Sequence, residues 1–77
     1  MDDYQLMETV IATEDIPEEG IRSGDVGTII DIYVEIATAY EVEFVKADGS
    51  ARTQVALSPG QFRHLAQNDI LTTRQRD

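Results

Sequence analysis

The sequence predicts an all-β domain, a small five-stranded barrel. Three observations point that way. Short apolar segments recur with turn residues between them. One segment, Ala39 to Val45, alternates strictly between apolar and polar. And no stretch between residues 8 and 65 is long enough or periodic enough for a helix. At 77 residues the chain is one domain, read as 1–77 with its core in about 8–65 and a loosely held tail over 66–77.

Thr9-Val10-Ile11-Ala12-Thr13 is β-branched and short and reads as the first strand. Glu14 to Gly24 follows as a long loop containing Pro17, Gly20 and the acids Glu14, Asp15, Glu18 and Glu19, with Ile16 and Ile21 expected to tuck inward. Asp25 to Val34 is the second strand. Its apolar residues at 29, 30 and 32 break alternation, as in a strand bending across a barrel corner, and Gly27 suits a bulge or a close backbone approach. In the third strand Tyr40, Val42 and Phe44 face one way, Glu41 and Glu43 the other. Asp48-Gly49 signals a hairpin turn. Arg52 to Leu57 returns as the fourth strand, Ser58-Pro59-Gly60-Gln61 is a tight turn of 3₁₀ type, and Phe62 to Leu65 is a short closing strand.

Five short strands, a long acidic loop after the first and a 3₁₀ turn before the last make the plan of an SH3-like barrel. The expected core is Val10, Ala12, Val26, Ile30, Ile32, Tyr40, Val42, Phe44, Val55, Leu57, Phe62 and Leu65. An OB-fold is the rival, but it carries a helix that this chain lacks room for.

Charge carries the functional argument. Fifteen acids oppose six bases for a net charge of -9, and residues 1–50 hold thirteen of those acids against only Arg22 and Lys46. Such a chain repels a polyanion and attracts a basic protein, so the expected partner is a basic protein and not nucleic acid. Acidity that only maintains solubility is the alternative. Absence of cysteine excludes disulfides and thiolate metal sites. With no run of about 18 apolar residues and an acidic start at Met1-Asp2-Asp3-Tyr4, the expectation is a cytoplasmic protein outside any membrane.

No nucleophile–base pair, phosphate loop or metal box appears, so no catalytic residue, metal site or cofactor is expected. His64 is the one histidine and reads as a surface or strand-edge residue. The candidate partner-binding residues are Glu14, Asp15, Glu18 and Glu19 on the loop, Glu41 and Glu43 on the outer face of the third strand, and Ile29 with Tyr33, which share an outward face if Val26, Ile30 and Ile32 point inward. That pair also suits a homodimer seam. For the loop the alternative is an ordinary solvated connection stiffened by Pro17; for Ile29 it is burial by the bent strand.

The runs Asp15-Ile16-Pro17-Glu18-Glu19-Gly20, Gly24-Asp25-Val26-Gly27-Thr28-Ile29, Tyr40-Glu41-Val42-Glu43-Phe44 and Leu57-Ser58-Pro59-Gly60-Gln61 together resemble a family of small bacterial proteins catalogued as domain of unknown function 4926. The resemblance covers roughly residues 8–65. It implies an SH3-like barrel and supplies no activity, though such small proteins often look like companions of a neighbouring, toxin-like gene product. Gly24 to Ile32 alone is similar to KOW-type modules of ribosomal and transcription proteins, to small barrel subunits of photosynthetic and redox enzymes and to the barrel of the nitrile hydratase β subunit. These similarities imply two alternatives: a nucleic-acid or ribosome-associated binding module, or an accessory subunit of a redox or other enzyme.

Overall fold

In the computed structural model the described residues are 4–45, 49, 52–66 and 69. They form β1 (Thr9–Ala12), β2 (Val26–Tyr33), β3 (Ala39–Val45), β4 (Arg52–Leu57) and β5 (Phe62–His64), with 3₁₀ turns at Pro17–Glu19 and Pro59–Gln61. The five strands are those expected from the alternation of apolar residues, within a residue or two at each end. The Asp48-Gly49 turn falls in the 46–51 connection, of which only Gly49 is described, at φ +76°. Apart from Asp69, the expected loose tail beyond residue 66 lies outside the described residues.

The barrel expectation is corrected. All neighbours are antiparallel, and the strand order is β4-β3-β2-β1-β5, an open sheet with β4 and β5 at its two edges. Closure needs a ladder between β4 and β5, and none exists among the described residues. The physical reason lies in β5. It is three residues long and pairs with β1 through Val10↔His64, Ile11↔Arg63 and Ala12↔Phe62. The Pro59–Gln61 turn carries the chain from one edge of the sheet to the other.

The core lies on one face. Val10, Ala12, Ile29, Tyr40, Val42, Phe44, Leu57 and Phe62 are buried there, joined by Tyr4, Ile16 and Ile21, with Ile32 and Val55 partly buried against them. Ile16 and Ile21 do tuck inward, forming a small antiparallel bridge beneath the acidic loop. Tyr4 meets Tyr40 and Phe62 edge-on, with ring centroids at 5.3 and 4.6 Å, so three aromatic rings cover one end of the face.

The phase of β2 is the second correction. Ile29 lies opposite Val42 and Asp31 opposite Glu41, so Ile30 is the extra residue of a bulge. The bulge puts Ile29 fully inside, leaves Ile30 only half-buried, and leaves Val26 exposed, as Leu65 is at the far end. Gly27 is the close approach expected of it. A Cβ there would stand 2.7 Å from Val42 Cγ1 and 2.9 Å from two ring carbons of Phe44, so the aromatic ring lies directly over the bare backbone.

Candidate functional site

Because successive side chains of a strand point to opposite faces, burying Tyr40, Val42 and Phe44 sends Glu41 and Glu43 to the other side. The bulge at Ile30 brings Asp31 and Tyr33 to that same outer side. Asp31 then stands directly across from Glu41, and Glu43 lies two residues further along β3, opposite Thr28. Like charges facing each other across a ladder repel. Two contacts soften this. The Tyr33 hydroxyl donates to Glu41 Oε1 at 3.3 Å, and Arg52 on β4 reaches Glu43 Oε2 at 3.3 Å. Asp31 turns one oxygen back to accept the Ile32 amide at 2.8 Å, holding the strand just past the bulge. Partial desolvation, followed by the negative charges of Glu41 and Asp31, raises the Tyr33 phenol above its ordinary pKa of 10.0.

The acidic loop splits into two groups. Glu14 accepts from Gln61 Nε2 at 3.0 Å, and Asp15 accepts from the Ser23 amide at 2.8 Å. Asp25 does the same for the Arg22 amide at 2.9 Å. These carboxylates hold the loop's own backbone and tie it to the second 3₁₀ turn, where Gln61 Oε1 accepts the Ser58 amide. Glu18 and Glu19 sit exposed in the first 3₁₀ turn, which ends at Gly20 with φ +72°. Beside it Asp15, Pro17, Gly20, Ile21 and Arg22 line a shallow, open depression.

The structure therefore brings Tyr33, Glu41 and Glu43 together, keeps Glu14, Asp15, Glu18 and Glu19 as a separate group, and removes Ile29. Ile29 is 0% exposed and belongs to the core, so the outward pairing of Ile29 with Tyr33 is corrected, the bulge being the cause. Asp31 is the residue the sequence reasoning missed. Its signal was its place beside the break in alternation at residues 29, 30 and 32.

His64 lies at the β5 edge, as expected. Its Nδ1 is 2.6 Å from Glu8 Oε2 and its ring stacks on Tyr4 at 4.2 Å, binding the start of the fold to its last strand. Arg63 holds Asp69 through two hydrogen bonds, of 2.8 and 3.1 Å. With the Ala66 amide, this bond holds the Asp69 carboxyl down at about 2. Among the described residues no three His, Cys, Asp or Glu side chains gather in a way that could hold a metal ion, and no helix is long and apolar enough to cross a membrane.

Fold and surface together define a small open β-sheet protein with its core cluster on one face and Asp31, Glu41 and Glu43 on the other. The chain belongs to the family described as domain of unknown function DUF4926, whose profile matches residues 6–64. No curated protein and no solved structure matches it.

Proposed function

We propose that this chain is a protein-interaction module, without chemistry of its own, that takes a basic protein as its partner on the outer face of the sheet. The observation that carries this is the placement of Asp31 directly opposite Glu41, with Glu43 alongside and Tyr33 among them. Isolated, the arrangement costs stability through like-charge repulsion; against a cationic surface the same charges become attractive. Tyr33, 43% exposed, adds an amphipathic ring of the kind enriched at interfaces. A toxin-like enzyme with a cationic substrate-binding surface is a natural partner of this chemistry.

The test separates the two acidic groups. A tagged chain captures its partner from the cells of origin, and the purified partner is titrated against two double variants. Glu41→Lys with Glu43→Lys and Glu18→Lys with Glu19→Lys change the net charge equally. Loss of binding, at least tenfold, in the first pair alone supports the sheet face. Equal weakening in both means that only net charge matters, and a captured partner without a basic surface ends the reading. Salt-sensitive micromolar binding of RNA by the unmodified chain would also count against it.

A further inference from the structure

The two edges of the open sheet are unlike. β5 has three residues, and its central Arg63 is bonded to Asp69. β4 has six, paired to β3 in unbroken register from Val45↔Arg52 to Tyr40↔Leu57, and among the described residues no strand pairs with its other side. Alternate residues of an antiparallel edge strand direct both backbone N–H and C=O outward. The usual protections of such an edge are bulges, proline or inward-pointing charge. None of them occurs in Arg52–Leu57, whose one charged residue, Arg52, lies at its end on the outer face.

We infer that β4 is the docking edge for an extended segment of the basic partner, which adds to the sheet as a sixth strand with basic residues on its outer side and apolar residues on its inner side. This rests on the reading of the outer face given above. The charge pattern identifies the occupant. On the outer face Ala56 stands between the open edge and Glu41, and Gln54 between the edge and Glu43. An added strand lies roughly 5 Å beyond β4 and roughly 10 Å beyond β3. A Lys or Arg opposite Ala56 crosses over a single methyl group to reach the carboxylate of Glu41, which takes the Tyr33 hydroxyl on Oε1. On the inner face Val55 is only half-buried, no strand lying beyond it among the described residues, and an apolar side chain opposite it completes that end of the core. Backbone pairing supplies the docking, and alternate side chains supply the selection.

The probe is a short peptide alternating Lys and Val, followed by amide exchange of the full chain. Two controls accompany it: a peptide of the same composition with its lysines in one block, and the alternating peptide N-methylated at every second residue, which keeps the charge and removes the donors. The expected result is at least tenfold slowing of alternate β4 amides with the alternating peptide only, abolished in Glu41→Lys with Glu43→Lys. Binding without protection of β4, or equal binding of all three peptides, overturns the docking edge and leaves the basic-partner reading standing. Protection of β4 that rises with protein concentration alone assigns the edge to a second copy and likewise overturns it. If the alternating peptide fails to bind and the partner captured from cells is not basic, both readings fall.

Discussion

Val42 and Glu41 are neighbours in the chain and belong to different worlds. Val42 is wholly buried between Ile29 and Val55; Glu41, turned to the other face, stands between Asp31 and Ala56. On the core face the contacts across the ladder reinforce one another, with Gly27 kept bare so that Phe44 can lie over it. On the outer face the ladder sets carboxylate against carboxylate and compensates only in part, through Tyr33 and Arg52. The core cluster is concentrated on one side of this sheet, and Asp31, Glu41 and Glu43 stand on the other, where Ile11 is the buried apolar residue. Substitutions on the two faces therefore differ in sign as well as in size.

The largest effect is expected at Ile29. Truncation of a fully buried isoleucine removes its transfer free energy and leaves a cavity, so Ile29→Ala should destabilise by about 2–5 kcal/mol in urea unfolding. An outward Ile29, as the plain alternation of β2 suggests, would give about 0.5 kcal/mol or less, so this one measurement fixes the phase of the strand. Gly27→Ala comes next. The added methyl meets Val42 and Phe44 at under 3 Å, and overpacking of this kind costs about 1–3 kcal/mol. Combining it with Phe44→Leu, which removes the ring, should give less than the sum of the single effects; strict additivity would mean that the ring does not lie over the glycine.

Those two positions also mark where the sequence stops being legible. The strands, the inward tuck of Ile16 and Ile21 and the Pro59–Gln61 turn are local: a period of two or a cluster of turn residues announces each. Gly27 was readable as a close approach, although the atoms that press on it come from β3. The apolar residues at 29, 30 and 32 admit two phases, and only the register against β3 decides between them; Val26 and Ile30 were assigned to the core on the wrong one. Tyr4 carried no periodicity at all and is buried through ring contacts with Tyr40 and Phe62. Closure was the least legible property, because it depends on whether β4 and β5 meet, and no residue of either strand encodes that locally. On the site, Glu41 and Glu43 followed from alternation, whereas the separation of Glu14 and Asp15, bonded to Gln61 and to the Ser23 amide, from Glu18 and Glu19 in the 3₁₀ turn needed the fold of the loop.

On the outer face the sign reverses. Glu41→Gln removes one of two opposed charges and keeps an oxygen for the Tyr33 hydroxyl, so it should stabilise the chain by about 0.2–1 kcal/mol. The gain should shrink as salt is added, since screening already relieves exposed repulsion. A destabilised Glu41→Gln would show that the acids support the fold, and the contrast between the faces would collapse.

The smallest effect is the ionisation of Tyr33. Its folded-state pKa lies above the ordinary 10.0, chiefly from partial desolvation and then from Glu41 and Asp31. A raised phenol favours the neutral form in the fold, so the corresponding stability is complete below pH 10 and is lost as pH rises through the elevated value. Ultraviolet difference titration, with Tyr33→Phe to isolate this ring from Tyr4 and Tyr40, should place its midpoint above that of a free tyrosine. Glu41→Gln should lower the midpoint, and high salt should do the same to a smaller degree. A midpoint at the ordinary value, indifferent to both changes, would mean that the hydroxyl does not sit among the carboxylates in solution. The acidic face would then lose the one aromatic group that distinguishes it from a merely solvated surface.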